Sequence, residues 1–194
     1  MNLPRFEKSR PIIIVPFREE WATEFAHIEA ELRKALGAVA LRIDHIGSTS
    51  VPSLSAKDII DVQVTVQSLD DPRIRQRLVE SGYQFKDENT RDVFVGLEDG
   101  SEKLRKKYAR EREGERRTHI HIREQGRFNQ RYALLFRDYL RASPVVAKAY
   151  ETIKIRLAEI FPESIDGYLY IKDPLMDLIF EAARGWAEGM EWKG

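Results

Sequence analysis

One segment constrains this chain more than any other, the run Ile59-Ile60-Asp61-Val62-Gln63-Val64-Thr65-Val66. Side chains of a strand point alternately to opposite faces. Ile60, Val62, Val64 and Val66 therefore share one side, and Asp61, Gln63 and Thr65 the other. One face belongs to a core; the other serves either a site or solvent.

The other elements are placed around that strand. Ile12-Ile13-Ile14-Val15 is short, β-branched and closed by Pro16, so an extended or strand-like segment is expected. Over residues 19–36, Trp21, Phe25, Ile28, Leu32 and Leu36 recur at helical spacing, and Gly37 is the expected stop. Residues 39–46 read as a strand running into Gly47-Ser48-Thr49-Ser50. A small-residue loop with a short helical turn follows over residues 51–57. Asp70 or Asp71 can cap a helix reaching about Ser81. Residues 93–97 and 118–123 are further strand candidates, separated by a long charged segment. After Arg127 the pattern is helical throughout: residues 128–140, then 144–161, then a third helix from about Ser164 or Asp173 to Trp186. Pro174 suits the first turn of that helix, or a kink.

Strands first and helices later favour α+β over a doubly wound parallel sheet. The expectation is a mixed sheet with flanking helices over residues 1–127. A C-terminal helical part over residues 128–194 would pack on it as one unit. A chain of 194 residues can bury roughly 70% of its unfolded surface and needs no staples. The 32 basic and 32 acidic residues cancel, so overall charge argues for neither nucleic acid nor membrane, and any anion site must be local. With no cysteine, disulfides, thiolate metal sites and a thiol nucleophile are excluded. Residues 1–11 hold no apolar leader, and no run reaches the 18 apolar residues of a membrane span. A soluble, cytoplasmic protein is the expectation; the sequence gives no oligomeric state.

Gly47-Ser48 after a strand offers a tight turn with free N–H groups and a hydroxyl, suited to phosphate oxygens or simply an ordinary turn. Thirteen residues later Asp61 stands on the polar face of the best strand. Nucleotidyl transfer needs carboxylates on a rigid strand to hold Mg²⁺ against a triphosphate.

The run His45-Ile46-Gly47-Ser48-Thr49-Ser50-Val51-Pro52, with Lys57 and Ile59-Ile60-Asp61, resembles the GrpB family of nucleotidyltransferase-like proteins. So do Val15-Pro16-Phe17 through Trp21, Arg117-Thr118-His119-Ile120-His121 and Leu135-Phe136-Arg137-Asp138-Tyr139-Leu140. Tyr168, Lys172 and Ala183-Arg184-Gly185-Trp186 resemble its C-terminal part. The resemblance implies a nucleotidyltransferase-like fold, a Gly-Ser motif at Gly47 and Ser48, and a first metal carboxylate at Asp61. In the wider superfamily a second carboxylate stands two residues on, where this chain has Gln63. A neutral amide is a poorer ligand for a hard cation.

His119 and His121 share a strand face with Arg123. If their strand lies beside that of Asp61, the imidazoles look onto Asp61 and Gln63, as metal ligands or as acid and base. Otherwise they are a solvated sheet face. Mg²⁺ or Mn²⁺ is the expected ion, although a His-X-His pair on a strand fits Zn²⁺, Mn²⁺ or Fe²⁺ better than Mg²⁺. Lys57 and Arg117 can hold phosphate or form exposed ion pairs. The charged run from Lys103 to Arg117 is a solvated helix or hairpin, or a basic arm; its one aromatic, Tyr108, makes no stacking platform, so no nucleic-acid partner is expected. The later aromatics are read as packing. Tyr168 and Lys172, four apart, border a cleft if helical.

The first functional reading is metal-dependent transfer of a nucleotidyl group from a nucleoside triphosphate to a small acceptor. In it Asp61 holds the metal and Gly47, Ser48 and Thr49 seat phosphates. His119 or His121 completes the metal site or takes a proton, and Lys57 or Arg117 offsets charge. The alternatives are a nucleotide- or metabolite-binding module without turnover, and a metal-dependent hydrolase at the two histidines.

Overall fold

A computed structural model describes residues 4–194. Met1, Asn2 and Leu3, the start of the stretch read above for a leader, lie outside the described residues. No described helix is long and apolar enough to cross a membrane.

Five strands form one mixed sheet: β1 (Arg42–Ile46), β2 (Ile60–Val66), β3 (Gln84–Phe85), β4 (Lys107–Arg110) and β5 (Thr118–Glu124), in the order β1-β2-β5-β4-β3. Only the β2–β5 pair is parallel. Helix α1 (Glu20–Leu36) precedes the sheet, α2 (Arg73–Glu80) connects β2 to β3, and α3 (Phe128–Ala142), α4 (Pro144–Ile160) and α5 (Ile165–Gly189) close the chain. The fold is α+β, as expected.

Alternation along β2 sorts the molecule into two halves. Ile60, Val62 and Val64 are fully buried and join Ile120 and Ile122 of β5 under Trp21, Leu32 and Leu36 of α1 and Ile74 and Leu78 of α2. The stripe on α1 meets a flat apolar face, and together they exclude water. The opposite face is covered too. Gln63 and Thr65 are buried, and α3 lies across them, the Gln63 amide donating to the Gln130 carbonyl at 3.1 Å. Leu140, Tyr150 and Ile179 from the three C-terminal helices share a cluster with Val51 and Leu54. At Gln63 and Thr65 the polar face is thus an interior.

Several local expectations are corrected. Residues 93–97 are not a strand, because the chain pairs earlier: the Asp92 N–H donates to the Leu104 carbonyl, and the Lys106 N–H to that of Thr90. Beyond Asp92 the chain leaves the sheet, exposing Val93 and Val95 and tucking Phe94 against Phe128, Tyr132 and Phe180. The missing strand, β4, lies inside the charged run, which forms a hairpin with β5; its ion pairs reach beyond it, Arg112 to Glu31 and Arg116 to Glu24 of α1. Ile12 to Val15 contributes a single bridge, Val15 to Ala56. The short turn expected after Val51 forms earlier, over Ser48–Ser50. Asp71, not Asp70, accepts the Arg73 N–H at the start of α2. Helix α5 starts after Ser164, whose hydroxyl accepts from the Gly167 N–H. Pro174 therefore falls inside it and leaves the Tyr170 carbonyl without its intrahelical donor.

Candidate metal and anion cleft

The parallel register sets Asp61 opposite His119 and Gln63 opposite His121. The Asp61 Oδ1 lies 3.2 Å from His119 Nδ1 and 3.8 Å from His121 Nε2. One ligand atom from each of the three side chains falls within 4.8 Å of the others. Burial raises the Asp61 carboxyl, but the hydrogen bonds and charges of the two histidines outweigh it and hold the group below its ordinary range. Burial presses His121 down to about 4; Arg123 and Lys106 add to this against the pull of Asp61. A neutral imidazole is the form that ligates a metal. A carboxylate and two imidazoles converging from adjacent strands suit Mn²⁺ or Zn²⁺.

Gly47 bounds this cluster. Its φ is +69°, and a Cβ there would lie 2.5 Å from Asp61 Oδ2. Both the conformation and the close approach require glycine. The turn is braced by Ser50 Oγ, which donates to the Gly47 carbonyl at 2.6 Å. Thr49 is buried, its hydroxyl donating to the Ile59 carbonyl and lying 3.0 Å from His45 Nε2. That side chain braces the turn and has little left for a ligand. The Ser48 hydroxyl instead accepts from Lys154 Nζ at 2.9 Å.

A cleft of about 450 Å³ opens between the sheet and the C-terminal helices. Asp61, His119, His121, Gly47, Ser48, Thr49, Lys57, Tyr168 and Lys172 all line it; Arg117 does not. Lys57 sits over the Tyr168 ring, 5.1 Å from its centroid. Lys154 is buried over the Tyr150 ring and also donates to the Ser55 carbonyl at 2.6 Å. Burial first, then the charge of Lys172, lowers Lys57 to about 8 and Lys154 to about 7. Lys154 was invisible in the sequence, since a lone lysine in a helix has no distinguishing spacing.

Gln63 is not available as a ligand. Its Oε1 accepts from Arg123 Nη1 at 2.7 Å while its Nε2 is bound to Gln130. Arg123 in turn holds Asp92, which also accepts from Lys106 Nζ at 2.7 Å and from Asn129. Burial raises the Asp92 carboxyl, and Arg123 and Lys106 together keep it far below its usual range. Asp92, a second cleft carboxylate, stands in an irregular loop and carried no sequence signal.

What these elements define is an α+β protein with a carboxylate–imidazole cluster and buried lysines facing one cleft. The family model described as GrpB protein matches residues 11–182, and the chain belongs to the GrpB family. It is 34% identical to UPF0157 protein YqkA of Bacillus subtilis (strain 168), over 93% of this chain and 49% of that protein. It is 33% identical to a protein named dephospho-CoA kinase in Mycobacterium tuberculosis (strain ATCC 25618 / H37Rv), over 99% of this chain and 51% of that one. The chain thus spans about half the length of these curated relatives. A crystal structure of the conserved protein GrpB from Enterococcus faecalis overlays with a TM-score of 0.73 at 33% identity, covering 90% of this chain and 99% of that one.

Proposed function

We propose that this protein binds a nucleoside triphosphate together with a divalent metal and transfers the nucleotidyl group to a small-molecule acceptor. The observation that carries the reading is that the Asp61–His119–His121 cluster and the Ser48–Lys154 pair open into the same cleft. Asp61 and one imidazole suffice to hold an ion, leaving the other to take the acceptor's proton. A bound ion there would neutralise phosphate charge and polarise a phosphoryl oxygen. The turn at Gly47 and Ser48 seats the phosphates, and Lys57 and Lys154 offset the charge that develops on the leaving pyrophosphate. In the reaction the acceptor's lone pair bonds to the α-phosphorus as the bond to pyrophosphate breaks.

Titrating metal-stripped protein with ATP, GTP, CTP and UTP, with and without Mg²⁺ or Mn²⁺, tests this. Metal-dependent binding that disappears in Asp61→Ala is expected; no nucleotide binding under any condition overturns the reading. The engagement of Gln63 by Arg123 and Gln130 favours a second reading, binding without turnover. Tight metal-dependent binding with no pyrophosphate release across acceptor classes would select it. The kinase activity named for the mycobacterial relatives is not proposed for this chain. The sequence holds no G-x-x-x-x-G-K-[ST] phosphate loop.

A further inference from the structure

Besides Lys106, which is paired with Asp92, three lysines from three separate elements line the cleft: Lys57 from the segment before β2, Lys154 from α4 and Lys172 from α5. Among the described residues, neither Lys57 nor Lys154 has a carboxylate oxygen within 4.0 Å, and Lys172 has only Asp173, at 3.4 Å. Their nearest neighbours are of another kind. Lys57 lies over Tyr168, Lys154 lies over Tyr150 and donates to Ser48 and Ser55, and Lys172 touches Met176. Burying like charges beside one another without matching anions costs free energy, which a multiply charged ligand offsets.

We propose that Lys57, Lys154 and Lys172, which line one cleft with Ser48, form a polyanion well that reads the number of phosphates on its ligand and needs no metal to do so. The proposal rests on the cleft being a nucleotide site and names the part of the substrate that the protein itself recognises. One phosphate satisfies one or two amines; each further phosphate reaches another, so affinity climbs with chain length. The groups facing Lys154 agree with this. Lys172 and Lys57 act against its charge, while Glu151 of its own helix and Asp61 across the cleft act for it. An arriving anion reverses the balance and restores the proton. Base identity contributes little to such a well, because its contacts are with charge.

Calorimetric titration of the full chain in EDTA with sodium tripolyphosphate, pyrophosphate and orthophosphate tests the well without nucleotide or metal. Tripolyphosphate should bind at least tenfold more tightly than pyrophosphate, and orthophosphate more weakly still. Equal affinities, or no heat with tripolyphosphate, overturn the proposal. Lys154→Met should lower tripolyphosphate affinity at least tenfold. Lys57→Met, at a half-buried position, makes the same test if the first variant fails to fold. Wild-type affinity in either folded variant overturns the proposal. Tripolyphosphate binding without metal-dependent nucleotide binding would retain the well and remove the transferase reading, so the two fail separately.

Discussion

The two faces of β2 share one backbone and hold their neighbours by different physics. Under α1 and α2 the face is apolar: Ile60, Val62, Val64, Ile120 and Ile122 join one buried hydrophobic cluster with Trp21, Leu32, Leu36, Ile74 and Leu78. Under α3 it is polar and less enclosed, with Gln63, Arg123, Asp92, Lys106 and Asn129 joined by hydrogen bonds and ion pairs. The dry face is held by many contacts that are each small and non-directional. The polar face is coupled: Gln63, Arg123, Asp92, Lys106 and Asn129 share partners, so removing one leaves others under-paired. That difference explains why the cleft opens on the polar side. Side chains fixed by hydrogen bonds beside Asp61 and His121 keep the cluster rigid.

The comparison breaks most readily at Arg123. Arg123→Met leaves Asp92 dependent on Lys106 and Asn129 and frees the Gln63 Oε1 in a buried setting. Removing one partner of a buried pair costs about 3–5 kcal/mol, read from the urea midpoint of unfolding. Ile120→Ala on the dry face should cost about 2–5 kcal/mol. A neutral Arg123→Met would mean that the polar face contributes nothing to the fold.

Next in size are effects on the site rather than the fold. Gly47→Ala forces a methyl onto Asp61 at a positive φ, and Asp61→Ala removes the carboxylate itself. Each should weaken Mn²⁺ binding at least a hundredfold by competition titration. Asp61→Ala should stay folded, since the ion-pair partners of its carboxylate are the two imidazoles alone among the described residues. Retention of Mn²⁺ affinity in Asp61→Ala would show that the ion sits elsewhere.

A proton-linked effect of intermediate size sharpens the contrast. In the folded protein without ligand Lys154 and Lys57 lose their protons at about 7 and about 8, against an ordinary value of 10.5. Between those values the unfolded chain holds more protons than the folded one, so stability without added ligand rises with pH. Tripolyphosphate affinity moves oppositely, falling by up to about tenfold per pH unit for each lysine that must be charged. Unfolding and calorimetry at pH 6.5, 7.5 and 8.5 read both trends. Parallel trends would show that the lysines do not control the well.

What could be read from the sequence follows the same division. The alternation of β2, the stripe of α1 and the three late helices are signals in apolar spacing, and they recur in the structure. The juxtaposition of Asp61 with His119 and His121 follows from alternation once the two strands are neighbours. Lys154 and Asp92 were out of reach because each acquires its meaning from a tertiary partner, Ser48 for the one and Arg123 for the other. Strand β4 was hidden because Lys107 and Arg110 frame only two buried residues, Tyr108 and Ala109.

The smallest expected effect separates sequence proximity from position. Lys57 and Arg117 are the cations nearest the motifs along the chain, yet Lys57 lines the cleft and Arg117 does not. The Arg117 guanidinium lies among Arg10 and Arg110, and burial and those two charges lower it. Arg117→Ala should therefore change tripolyphosphate affinity by less than about twofold, the change expected from a partly screened charge outside the contact set. Its melting temperature should hold or rise slightly as that repulsion is relieved. A loss comparable to that in Lys57→Met would extend the well to the edge of β5 and make Arg117 part of it.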